Sequence, residues 1–201
     1  MWNRIFFRCI VFLLLASCLA LGQEESSVVH PNQEVRVSDL PMHTAQSADA
    51  TAVLAASLET IFHDPDVCCG KNSALEDADL SADSLKELGG KLAGKHRLSD
   101  GRTLTVTAEY SSPDSINPNQ IIGPLLRKQA LLMQWDSHFY VLYGAVYDEI
   151  VFSGGHREYV IHKLLLLDTR FSDARRETAF NRETDDWTKV QGLLRLAAEA
   201  Q

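Results

Sequence analysis

The sequence predicts an α+β domain, with helices first, strands after them and a helix at the C-terminus. Three stretches carry that expectation. Ala48 to Phe62 (ADATAVLAASLETIF) sets Val53, Leu54, Leu58, Ile61 and Phe62 at helical spacing. Thr103 to Tyr110 (TLTVTAEY) alternates and is rich in β-branched residues, as a half-buried strand is. Ala130 to Gly144 (ALLMQWDSHFYVLYG) holds two apolar runs on either side of a polar tip, Asp136-Ser137, and reads as two strands joined by a tight turn.

Taken in order, Met1 to Arg8 carries Arg4 and Arg8, and an apolar run from Cys9 to Leu15 follows. That pattern is a secretory signal, too short for a transmembrane helix, and it assigns residues 1–22 to a leader. Two processing routes stay open. Leu15-Ala16-Ser17-Cys18 matches a lipobox, which would acylate Cys18. Ala20-Leu21-Gly22 is a small-x-small site that would release a chain starting at Gln23. The expected location is periplasmic or lipid-anchored in a cell envelope, or secreted, with membrane contact only through signal or lipid. Residues 23–47, polar and carrying Pro31 and Pro41, read as a linker, leaving residues 48–201 as one domain.

Pro65 ends the first helix, because a proline disfavours helical backbone in the residue before it. Ser81 to Leu92 predicts an amphipathic helix with Leu85, Leu88 and Leu92 on one face. Ser111 to Gln120 is a loop, and Ile121 to Lys128 a short helix or turn. Beyond Gly144, Tyr147 to Tyr159 reads as an extra hairpin about Ser153-Gly154-Gly155. Val160 to Leu167 is a strand closed by Asp168, and VQGLLRLAAEA is a C-terminal helix presenting Val190, Leu193, Leu194 and Leu196.

The composition, 45% hydrophobic and 23% charged, is that of a globular chain. Nineteen basic against 27 acidic residues give a formal charge of -8; without Arg4 and Arg8 the balance is 17 against 27, or -10. Such a surface argues against nucleic acid as a partner. No phosphate loop, dinucleotide fingerprint or metal motif occurs, so no cofactor is expected.

Without the leader, Cys68 and Cys69 are the thiols that remain in the domain. Neighbouring cysteines bridge only in a strained ring, and no second Cys/His cluster offers metal ligands. A cysteine at the start of a helix is instead a candidate nucleophile, since the dipole and free N–H groups stabilise a thiolate. The second helix would open in KNSALEDADL, just after Cys69-Gly70. His138 opens a strand at the sheet's edge, and Asp168 closes another. Thiol chemistry uses this set: the imidazole takes the thiol proton and later protonates the leaving group, and the carboxylate orients the ring.

These residues resemble the papain-like cysteine peptidases, above all the branch of bacteriocin-processing (double-glycine) peptidases. Cys69-Gly70 followed by Ser73-Ala74-Leu75 is similar to the step that opens that branch's central helix. Leu125-Leu126-Arg127-Lys128 with LLMQWDSHFYVLYG is similar to its histidine motif, and LLLLDTR to its aspartate motif. The resemblance implies a papain-like fold, with the cysteine on a helical part packed against an antiparallel sheet carrying the histidine and aspartate. It also implies a Cys69/His138/Asp168 triad, with Cys68 as the alternative nucleophile, acting on a peptide or protein substrate. His63 stands about where the branch has its oxyanion-binding glutamine, so His63 and Trp135 are the candidate oxyanion or substrate contacts. The alternative implied is an inactive binding module of the same fold with a redox-sensitive thiol pair.

Overall fold

The computed structural model describes residues 26–62, 84–97, 101–171, 175–179 and 185–200. They form an α+β domain built on one eight-stranded sheet whose pairings are all antiparallel. The strands are β1 (Ser27–Arg36), β2 (Gly94–Arg97), β3 (Thr103–Ser111), β4 (Leu131–Trp135), β5 (His138–Phe152), β6 (Arg157–Leu167), β7 (Arg175–Ala179) and β8 (Val190–Ala200). Their order is β2-β3-β8-β4-β5-β6-β7, with β1 also on β5. The helices are α1 (Ala50–Phe62), α2 (Leu85–Leu92), α3 (Pro118–Leu126) and a single turn, α4 (Asp185–Thr188).

Local chemistry sets the helix starts. The Ser84 side chain accepts from the Glu87 N–H, and Asn117 and Gln120 close a reciprocal capping box ahead of Pro118. α2 lies close on the sheet: a Cβ on Gly89 would stand 2.9 Å from the Leu194 side chain. α1 packs across β4, β5 and β8.

Register explains why the strands between Leu131 and Leu167 are so apolar. Tyr110, Leu194, Leu132, Val141 and Leu167 stand side by side across β3, β8, β4, β5 and β6. Ser111, Leu193, Met133 and Tyr140 form the next row, whose side chains leave from the other face. Leucines of both rows are buried, so the sheet has a core on each side and its strands need little alternation.

Three expectations are corrected. VQGLLRLAAEA forms no C-terminal helix; it is β8, hydrogen-bonded between β3 and β4. The expected linker at residues 23–47 contains β1, which pairs with β5 from Ser27↔Phe152 to Arg36↔Gly144. The hairpin at Tyr147 to Tyr159 is no insertion, because it is the far end of β5 and β6 themselves.

Candidate functional site

Cys68, Cys69 and His63 lie outside the described residues, as do Cys18 and the rest of the leader. The other members of the expected constellation sit together at one end of the sheet. Trp135 ends β4 and pairs with His138, which opens β5. Asp136 and Ser137 between them have φ of 49° and 63°, the two left-handed residues that a two-residue hairpin with matched twist demands. This turn fixes where His138 emerges. β5 is an interior strand, so His138 stands at the sheet's end rather than along its edge.

The His138 side chain is exposed and forms no hydrogen bond or ion pair among the described residues. Alternation along β5 puts it on the face of Tyr140. Val141 pairs with Leu167, so the ladder brings Asp168 beside Tyr140 and one step diagonally from His138.

Asp168 is fully buried, and its oxygens are held by Arg170. Nε donates to Oδ1 at 2.8 Å, Nη2 to Oδ2 at 2.6 Å, and the Arg170 backbone N–H to Oδ1 at 3.2 Å. Nη2 also donates to the Tyr140 hydroxyl at 3.3 Å. The guanidinium lies 5.8 Å from the Tyr140 ring centre and 5.7 Å from that of Phe171, held between two aromatic faces. The Asp168 hydrogen bonds raise the Arg170 pKa above its ordinary value, against an opposing desolvation effect. Sequence reasoning named His138, Asp168 and Trp135 as candidates but not Arg170 and Tyr140, which stand against them. A signal existed: in Asp168-Thr169-Arg170 the acid and the base are two residues apart and project to one side of an extended chain.

Trp135 tilts against Tyr140, with ring centres 5.8 Å apart, and its indole N–H is enclosed without an acceptor. An oxygen ligand would reach that N–H only if its neighbours moved. Beneath the site, the Ser57 hydroxyl of α1 and the Thr169 hydroxyl lie 3.0 Å apart and 2.8 and 3.1 Å from the Val53 carbonyl, which accepts from one while that hydroxyl accepts from the other. This buried stitch ties α1 to the end of β6. A polar cleft of about 310 Å³ opens between α3 and the β3–β8 pair, with Ser111, Asn119 and Arg127 in its lining and a Glu109–Arg195 ion pair of 2.9 Å along one wall. Leu193 and Ser111 lie in the row of Tyr140, so the cleft opens on the face that carries His138.

Among the described residues, no group of three His, Cys, Asp or Glu side chains could hold a metal ion. No helix among them is long and apolar enough to cross a membrane. The chain matches no protein-family model, no curated protein and no solved structure. The geometry of the site therefore carries the functional argument alone.

Proposed function

We propose that this is an exported protein of papain-like type that transfers an acyl group from a peptide or amide bond to Cys69, with His138 as the base. One observation supports the reading above the rest: the strand register that sets His138 and Asp168 on one face, a diagonal step apart. In the reaction the Cys69 proton passes to the His138 imidazole, and the thiolate attacks the carbonyl carbon. The C–N bond then breaks as the imidazolium protonates the leaving amine, and water hydrolyses the thioester. The polar cleft on the same face offers amides, a hydroxyl and a guanidinium to the substrate chain.

A second reading has an observation of its own. Asp168 is clamped by Arg170, and the His138 ring makes no hydrogen bond to it, so in this arrangement that carboxylate does not orient the histidine. That favours a non-catalytic envelope module of the same fold.

Thiol alkylation rate against pH separates the two, measured on the protein and on Cys68→Ser, Cys69→Ser, His138→Ala and Arg170→Gln. The first reading expects one thiol well below the usual value of about 8.5 and its return to that value in His138→Ala. Ordinary titration of both thiols, or indifference to His138→Ala, leaves the binding module. Faster acyl transfer in Arg170→Gln would show that the clamp withholds Asp168 from the histidine.

A further inference from the structure

The chain between β1 and α1 forms an arch. The Val37 N–H donates to the Tyr143 carbonyl at 2.8 Å and the Ala45 N–H to the Thr169 carbonyl at 2.8 Å, so residues 38–44 are anchored at both ends. The His43 N–H adds a bond to the Thr60 hydroxyl at 3.4 Å. Under this arch is a cavity of about 240 Å³. Its floor is apolar and buried: Val37, Tyr143 and Leu167. Leu40 and Met42 of the arch also line it without filling it, and Met42 keeps 39% of its surface in water. Leu167 shares the face of Val141, so this cavity opens on the face away from His138 and is independent of the thiol reading.

Two arginines, Arg36 and Arg175, belong to the lining. Arg175 opens β7, pairs with Leu167, and stands 5.9 Å from the Tyr143 ring centre. It meets no carboxylate among the described residues. Arg36 of the lining pairs with Glu34, and Asp39, outside the lining, accepts from the Ser38 hydroxyl at 3.2 Å and keeps its negative charge. An apolar chamber with a guanidinium at its mouth that meets no carboxylate among the described residues has the layout of a small-ligand site. At roughly 30 Å³ per water-sized group, the chamber holds about eight such groups.

We propose that this cavity binds a small amphiphilic carboxylate, its apolar body under the arch and its carboxylate on Arg175. Two sources share that chemistry: a free medium-chain fatty acid, and the apolar C-terminal residue of a peptide. Calorimetric titration of the protein with octanoate and with N-acetyl-leucine distinguishes them, and octanol and N-acetyl-leucinamide serve as uncharged controls. Saturable binding of either carboxylate is expected, at least tenfold weaker for its control and for Arg175→Gln, and lost in Leu40→Trp, which fills the chamber. Arg175 is exposed, so its replacement leaves the fold intact, and circular dichroism checks Leu40→Trp. Failure of both carboxylates to bind at millimolar concentration overturns the proposal, as does binding that neither variant weakens.

Discussion

The two halves of β5 live in different surroundings. From Phe139 to Ala145 the strand is buried and covered on both faces, flanked by β6 on one side and on the other by β4 as far as Leu142 and by β1 from Gly144. From Asp148 to Phe152 it is only partly buried and runs with β1, whose residues are nearly all exposed, and the first residues of β6. This outer part is a three-stranded wing with Val28, Val29 and Val160 about half in water. The same backbone ladder thus serves as core at one end and as solvated ribbon at the other. Interactions of one kind should differ sharply in worth between the two ends.

Ion pairs give the largest contrast. Asp168→Ala strands a mostly buried guanidinium and is expected to cost about 3–5 kcal/mol. Glu149→Ala removes the 2.8 Å pair with Arg157 in the wing and leaves behind an exposed guanidinium that water can solvate, so the loss is expected to stay below about 1 kcal/mol. Urea unfolding of the two variants tests this, and equal losses would erase the distinction between the ends. Apolar truncation comes next. Leu132→Ala, at a fully buried site, is expected to lose about 2–5 kcal/mol, whereas Val160→Ala should stay within about 0.5 kcal/mol in the same assay.

Gly144 marks the boundary between the two halves. A Cβ there would stand 2.6 Å from the Val35 carbonyl oxygen and 2.8 Å from the Leu165 side chain. Gly144→Ala should therefore cost roughly 1–3 kcal/mol, and hydrogen exchange should speed up in β1 before it does in β4. The smallest effect concerns acid. The Asn32 N–H and then His162 hold the Asp148 carboxyl below its ordinary value of 3.8. A lowered carboxylate stabilises the fold above its unfolded value, and that contribution fades as pH falls through the folded one. Exchange at the Asn32 amide, 2.8 Å from Asp148, should accelerate below pH 3.8 and be insensitive to pH in Asp148→Asn, apart from the intrinsic rate.

The same contrast explains what the sequence disclosed. Helix α1, strand β3 and the turn at Asp136-Ser137 were legible because each has its own periodic or turn signal. β8 was not. Leu193 and Leu194 are neighbours in sequence and face opposite cores, so the strand has no alternation, and its alanines and leucines mimic a helix. β1 was hidden for the opposite reason: with both faces wet and Pro31 inside it, nothing local marks a strand, and β5, more than a hundred residues away, supplies its hydrogen bonds. At the candidate site, the turn disclosed His138 and the strand end Asp168. Arg170 was missed because an acid closing a strand was read without the base two residues on.

The placement of β8 between β3 and β4 has a consequence in time. β4, β5 and β6 can pair as they emerge from synthesis, since turns of a few residues join them. β3 cannot reach β4 at all until residues 190–200 exist to bridge them. The sheet therefore closes late, through contacts of long sequence separation, which makes folding slow. A nascent chain halted before Val190 would carry two unjoined pieces of sheet, each with an open edge on which other chains could add.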